Sequence, residues 1–293
     1  KGETVAEITG FARAMRDAAE PLRHPFDDAI DTCGTGGDGR STFNVSTVSA
    51  FVAAGAGCRV AKHGNRSVSS RCGSAEALEA LGIDPRASAR LTARLLAEVG
   101  VGFLFAPDYH RAMRHAVEPR REIGLRTIFN IVGPLTNPAG VRRQLVGVFE
   151  RELTEVVAKV LARLGSTHCV VVHGADGLDE ITLGGPTHVC EWRDGTLDRY
   201  RLDPRRFGFA RVAAGRLRGG SPRENARIAL AVLEGRPGPA RDVALINAGA
   251  AIYVGGVAES IETGIERARE SIDSGAAVEK LHALRRFAGL RVA

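Results

Sequence analysis

Asp31-Thr-Cys-Gly-Thr-Gly-Gly-Asp38 continues from the apolar Ala29-Ile30 pair and is followed by Phe43-Asn-Val-Ser-Thr47 and then Lys62-His-Gly-Asn65. This block decides the fold. Ala29-Ile-Asp31 reads as the end of a strand that opens into a glycine turn, and residues 46–54 have a helix-like pattern. Glycines let backbone N–H groups approach an anion closely, and the helix N-terminus behind them adds further donors. Such a turn suits a multiply charged phosphate better than a hydrophobic core. Arg59-Val-Ala61 reads as the next short strand, and Ser74 as the N-cap of a helix over residues 75–81 that Gly82 closes.

The alternation continues outward. Leu145-Val-Gly-Val-Phe149 and Cys169-Val-Val-Val172 read as buried strands around a helix over residues 152–164, which argues for an α/β sheet domain. Ser221-Pro-Arg-Glu224 has the N-cap, N1 proline and N3 acid of a capping box, and predicts a helix through Leu233. Val5, Ile8, Ala12, Met15 and Ala19 form one helical stripe, stopped by Pro21, and Ile261, Ile265, Ala268 and Ile272 form another. Residues 90–118 read as mainly helical, interrupted by Gly100, Gly102 and Pro107. The expected organisation is a helical unit from residues 1–24 and 90–126, and an α/β unit from residues 25–89 and 127–293.

Composition narrows the function. The chain of 293 residues is 44% hydrophobic and 25% charged, as expected of a soluble globular protein with a substantial core. Its net charge of +6 comes from arginines spread among acids, with no zinc-finger spacing or basic arm. Aromatic residues make up only 5%, which disfavours stacking platforms for single-stranded nucleic acid. Positive potential around a phosphorylated small molecule is the better use of the surplus. Five cysteines without a disulfide or CxxC spacing fit a reducing compartment, so a cytoplasmic location is expected. Residues 244–258 are apolar but short and carry Asn247, so they read as a buried helix rather than a membrane span.

The candidate site follows from these elements. Gly34, Thr35, Gly36 and Gly37 form the turn, with Asp38 to organise it, a ribose hydroxyl or a cation. Asn44, Ser46 and Thr47 offer hydrogen bonds where the next helix begins, although ordinary capping by one of them would explain the same residues. Lys62 brings a compact ammonium and Asn65 an orienting amide; His63 is either a base or a phosphate contact. Ser70 and Ser74 are second-loop phosphate candidates or turn and cap residues. Asp179 and Glu180, after the late strand and His173-Gly-Ala-Asp-Gly177, supply adjacent oxygen ligands suited to Mg²⁺, though adjacent surface acids are common. The chain has neither GxxxxGK[ST] nor a full GxGxxG run, which argues against a P-loop hydrolase and a nicotinamide site.

With these residues in view, the chain closely resembles the anthranilate phosphoribosyltransferases of tryptophan biosynthesis. The resemblance covers residues 1–285 and includes Gly34-Thr-Gly-Gly-Asp38, Asn44-Val-Ser-Thr47, Lys62-His-Gly-Asn65, Arg126-Thr-Ile-Phe-Asn130, Gly133-Pro-Leu-Thr-Asn-Pro138 and Asp176-Gly-Leu-Asp-Glu180. It implies a small helical domain plus a larger α/β domain with a central mostly parallel sheet, nucleoside phosphorylase/phosphoribosyltransferase-like, in a homodimer. It also implies that 5-phosphoribosyl 1-pyrophosphate (PRPP) contacts the turn, Thr42, Asn44, Val45, Ser46, Thr47 and Lys62. Mg²⁺ would be held by Ser46, Asp179 and Glu180. Anthranilate would meet Gly34, His63, Asn65, His110, Gly133 and Pro134, with Arg120 on its carboxylate. Family chains usually start several dozen residues earlier, with additional helices expected to partner the stripe of residues 4–20. A related pyrimidine nucleoside phosphorylase and a phosphoribosyl-ligand sensor without turnover are the competing readings. The Arg120 register and the block of residues 126–138 argue against the first; Lys62, Asp179 and Glu180 argue against the second.

Overall fold

The computed structural model describes residues 2–67 and 71–289. Helix α1 (Val5–Asp17) precedes strand β1 (Ile30–Gly34), helix α2 (Val45–Gly55), strand β2 (Val60–Gly64) and helices α3 (Ser74–Ala80) and α4 (Ala89–Glu98). Strand β3 (Val101–Phe105), the short α5 (Ala106–Tyr109), α6 (Arg114–Ile123), β4 (Arg143–Gly147), α7 (Leu153–Arg163) and β5 (His168–Gly174) follow. The hairpin β6 (Thr187–Arg193) and β7 (Thr196–Leu202) leads to α8 (Pro222–Leu233), α9 (Pro239–Val254), α10 (Ile261–Asp273) and α11 (Ala276–Gly289).

The strands form one sheet of seven in the order β3-β2-β1-β4-β5-β6-β7. The first five in that order run parallel, β6 runs antiparallel to β5, and β7 runs antiparallel to β6. The chain lays β2 and β3 on one side of β1, then returns to place β4 on the other. The carboxyl ends of β1 and β4 therefore flank a topological switch point, where open α/β sheets form their ligand crevices. Asp194 (φ 50°) and Gly195 (φ 87°) make the two-residue turn between β6 and β7, as an Asp-Gly pair favours.

Packing follows from the residue pattern. Helices α2 and α9 are apolar on nearly every side, and such a helix is stable only when covered all round. Both lie in the main core, with Val48, Phe51 and Val52 of α2 and Val243, Ile246 and Ala250 of α9 fully buried. The opposite face of the sheet is covered by α7, through Val157, Leu161 and their neighbours. Ile8 and Ala12 of α1 are buried in that second cluster, with Val5, Phe11 and Met15 against it, so the sequence stripe has an apolar partner within this chain. Thr4 and Glu7 close a capping box at its start.

Two expectations change. Residues 90–118 are not simply helical: Val101-Gly-Phe-Leu-Phe105 forms β3, fully buried at one edge of the sheet. Gly102 belongs to this strand, where a Cβ would stand 3.1 Å from the Thr92 side chain of α4. A glycine that looks like a helix interruption is thus a close-packing position. Ser74 does not cap α3. Gly73 does, with its N–H donating to Glu76 Oε2 at 3.0 Å. Among the described residues no helix is long and apolar enough to cross a membrane.

Candidate active site

The crevice at the switch point is built around the absence of side chains at the ends of β1 and β4. A Cβ on Gly34 would stand 2.6 Å from Asp179 Oδ2, and one on Gly147 only 1.5 Å from the Asp179 carbonyl oxygen. The loop between β5 and β6 crosses these two strand ends directly and delivers Asp179 and Glu180 to the glycine turn. Asp179 Oδ2 accepts the Gly36 N–H at 2.7 Å, and Glu180 Oε1 accepts the Ser46 N–H at 3.1 Å in the first turn of α2. Glu180 thus occupies the anion position that a helix N-terminus offers.

The acid loop is fixed from behind. Asn247 of α9 accepts from Ile181 N–H and donates to Ile181 C=O, each at 2.9 Å. The Thr182 hydroxyl donates to Asp176 Oδ2 at 2.6 Å. Sequence reasoning assigned no site role to Asn247, although a lone amide inside an otherwise apolar helix was the available signal.

Lys62 lies beneath this layer, only 4% exposed, donating to the Thr32 carbonyl and, at 3.2 Å, to Ser46 Oγ. Burial lowers its pKa, while the nearby charges of Asp31 and Glu180 favour the ammonium. Burial pushes Asp179 up to about 7, with Asp38 adding to the effect. Glu180 is driven well above the usual carboxylate range by burial and by Asp179, opposed by Lys62. These acids disfavour their own charge until a cation joins them. Asp31, another missed residue, is fully buried and ties the site's floor together: it accepts from His63 N–H at 3.2 Å and Asn137 Nδ2 at 2.8 Å.

The other predicted donor-side residues are placed as follows. Thr35 Oγ1 accepts the Phe149 N–H at 3.1 Å, and Asp38 Oδ1 accepts the Arg40 N–H at 3.0 Å. Thr42 forms an antiparallel bridge to Arg218. Asn44 makes no side-chain cap but donates to the Cys72 carbonyl at 3.2 Å, which joins the two loops. Val45 and Thr47 are buried in α2, with Thr47 Oγ1 unpartnered. Ser74 Oγ donates to the Asn65 carbonyl at 3.2 Å, and the Asn65 side chain accepts from Arg66 N–H at 2.7 Å. Ser70 lies outside the described residues.

Among the residues expected to meet anthranilate, the rings of His63 and His110 lie 5.1 Å apart, both nearly buried. His63 Nδ1 lies 3.2 Å from the Gly133 carbonyl, which makes Nδ1 the protonated nitrogen and leaves Nε2 a buried, unpartnered acceptor. Burial, with His110 beside it, pushes His63 down to about 3, and burial lowers His110 as well. Pro134 is buried and Gly133 is exposed. Phe11, Met15, His110 and Met113 line an apolar cavity of about 160 Å³. Arg120 belongs to α6, but its side chain lies outside what is described.

Asp179, Glu180 and the Ser46 hydroxyl are oxygen donors only, and two carboxylates are what Mg²⁺ takes from a protein when phosphate and water complete its shell. Among the described residues no group of three or more His, Cys, Asp or Glu side chains forms a closed metal cage. The donor set therefore fits a metal shared with a phosphate ligand rather than one held by protein alone.

Residues 26–278 match the family described as "Glycosyl transferase family, a/b domain". The chain is 56% identical over 289 residues to an anthranilate phosphoribosyltransferase of Pelotomaculum thermopropionicum, covering 99% of this chain and 84% of the relative. It is similar to the crystal structure of the Thermus thermophilus enzyme of that name, with a TM-score of 0.93, 45% identity, and coverage of 98% of this chain and 85% of that one. The Saccharomyces cerevisiae counterpart, solved in complex with PRPP and Mg, gives a TM-score of 0.89 at 31% identity, covering 98% of this chain and 80% of its own.

Proposed function

The chain belongs to the anthranilate phosphoribosyltransferase family, and from that premise we propose that it transfers the phosphoribosyl group of PRPP to the amino nitrogen of anthranilate. N-(5-phosphoribosyl)anthranilate and pyrophosphate are the products, in tryptophan biosynthesis. One observation carries the reading. At a single switch point, Asp179 holds the glycine turn, Glu180 holds the start of α2, and Lys62 lies beneath Ser46.

The aromatic amine is unprotonated at neutral pH and carries its own lone pair, so the attack needs no strong base. Both histidines suit that chemistry. His63 is too weak a base to take the proton early, but its bare Nε2 can accept a hydrogen bond from the amine and so orient the lone pair. Arg120 pairs its planar guanidinium with the anthranilate carboxylate, and the apolar cavity beside His110 suits an aromatic ring.

Charge grows on the departing pyrophosphate, and this is where the donor side acts. The N–H groups of the glycine turn and the Lys62 ammonium meet that charge in fixed positions and need no reorganisation as it develops. Asp179, Glu180 and Ser46 would hold Mg²⁺, which neutralises pyrophosphate charge when bound; the yeast relative in complex with PRPP and Mg supports this assignment. The five cysteines, all buried, support a cytoplasmic location, and a homodimer is proposed from the resemblance.

The direct test incubates the chain with anthranilate, PRPP and Mg²⁺ and follows product formation by the loss of anthranilate fluorescence. Magnesium-dependent product is expected. A folded preparation that binds both substrates and makes none would overturn the assignment.

A further inference from the structure

The Gly36-Gly37 turn has no side chains of its own, so its shape is set by what grips it. From the crevice side, Asp179 takes the Gly36 N–H at 2.7 Å. From the outer side, the Arg126 guanidinium donates to the Gly37 carbonyl at 2.7 Å. Arg126 is itself held in two ways: Nη1 pairs with Glu150 at 3.2 Å, and the head group lies 4.3 Å from the centre of the Phe149 ring. Phe149 returns to the turn, because its N–H donates to Thr35 Oγ1 at 3.1 Å. The peptide units on either side of the Gly36–Gly37 bond are therefore clamped, one by a carboxylate and the other by a guanidinium, and the guanidinium stands on a residue bonded to Thr35 of the turn.

Position in the chain adds a second consequence. Arg126 follows α6 directly, three residues beyond its end at Ile123, so the segment that carries Arg120 ends on the donor turn. We propose that Arg126 is a positioning residue for the reaction: it fixes the glycine turn from outside and registers the Arg120 segment against it. This rests on the reading that the turn cradles PRPP.

Calorimetric titration with PRPP and Mg²⁺, without anthranilate, tests the proposal on the full chain. Arg126→Met keeps an unbranched stem over Phe149 and loses the donation to Gly37. Losing a partly exposed charged hydrogen bond is expected to weaken PRPP binding about 10-fold, with an unchanged melting temperature and a smaller rise in the anthranilate KM at saturating PRPP, because the Arg120 segment loses its register. Arg126→Lys restores the charge without the fork and is expected to recover affinity to within about 3-fold of wild type. Phe149→Leu leaves Arg126 in place but removes the ring beneath it, and is expected to weaken PRPP binding by about 3-fold, the size of an exposed cation–π contact. Wild-type affinity in Arg126→Met, or equal weakening in the Met and Lys variants with lowered melting temperatures in both, overturns the proposal. Should Arg126→Met fail to fold, the Lys and Leu variants decide: wild-type affinity in Phe149→Leu, or a loss of about 10-fold or more in Arg126→Lys, overturns it. Failure of the underlying reading looks different, because the wild-type chain itself then shows no PRPP binding.

Discussion

Residues 34–47 and residues 106–126 meet where Arg126 touches Gly37, and they are held in place by different means. The first stretch is anchored in the sheet and in buried α2, and its bonds run to Asp179, Glu180, Lys62 and Phe149. The second leaves β3 as a short helical turn and continues through α6, which carries Pro119 internally. Ile123 at its end and Leu125 beyond it are 56% and 74% exposed. On the proposed roles, the donor side is thus preorganised by the core, whereas the segment proposed to bring the acceptor runs along the surface. Preorganised charge is worth most where charge develops in the transition state. A surface segment is suited to admitting and orienting a partner. The division predicts that donor-side changes fall mainly on turnover and acceptor-side changes mainly on substrate requirement.

The largest effect is expected at Lys62. Lys62→Ala removes the cation beneath Ser46 and leaves Asp31 and Glu180 without their counter-charge, so turnover should fall by about 100-fold or more. Near-normal kcat in a product assay would show that the donor side is not the electrostatic centre. Next is Arg120. Arg120→Ala should raise the anthranilate KM by about 10-fold or more, with a smaller change in that for PRPP, and Arg120→Lys should fall between. Equal effects on both substrates would erase the division between the two sides.

A smaller effect is expected in the pH dependence of stability. In the fold Asp179 is pushed from 3.8 up to about 7, so between those values the folded chain binds more protons than the unfolded one. Stability of the metal-free protein should therefore fall as pH rises through that window, and added Mg²⁺ should raise the melting temperature more at pH 8 than at pH 5. A Mg²⁺ effect independent of pH would remove Asp179 from the cation site. The smallest signal is at His63. With its pKa pushed down to about 3, its ring resonances should stay flat from pH 5 to 9 in NMR, as expected of a neutral hydrogen-bond acceptor. A midpoint near 6.5 would return it to consideration as a base.

Legibility followed the same division. The donor side was readable because backbone chemistry demands particular residues: positive φ at Gly36 and Gly37, small hydroxyls at a helix start, acids after a strand. The apolar runs over residues 145–149, β5 and α9 were readable because burial on both faces leaves no polar face. Strand β3 was hidden because Gly102 imitates a helix break, and β6 and β7 because half-exposed antiparallel strands carry too many polar residues to form an apolar run. Asp31, Asn137 and Asn247 act through partners distant in sequence: Asp31 meets His63 and Asn137, 32 and 106 residues away, and Asn247 meets Ile181, 66 residues away, so spacing within one element does not reveal what they hold.

The main-chain cradle also bears on inhibition. A ligand that takes its hydrogen bonds from main-chain N–H groups around Gly36, Gly37 and Gly39, other than the Gly36 N–H that Asp179 occupies, offers no side chain whose loss would weaken it. Nor is a replacement there neutral: these glycines have φ of 64°, 77° and 70°, where any other L-residue costs about 1–2 kcal/mol. Resistance to such an inhibitor would have to arise at the periphery, on the exposed segment that brings the acceptor. A compound confined to the turn gives single substitutions little to work with, whereas one extended toward α6 restores that opportunity.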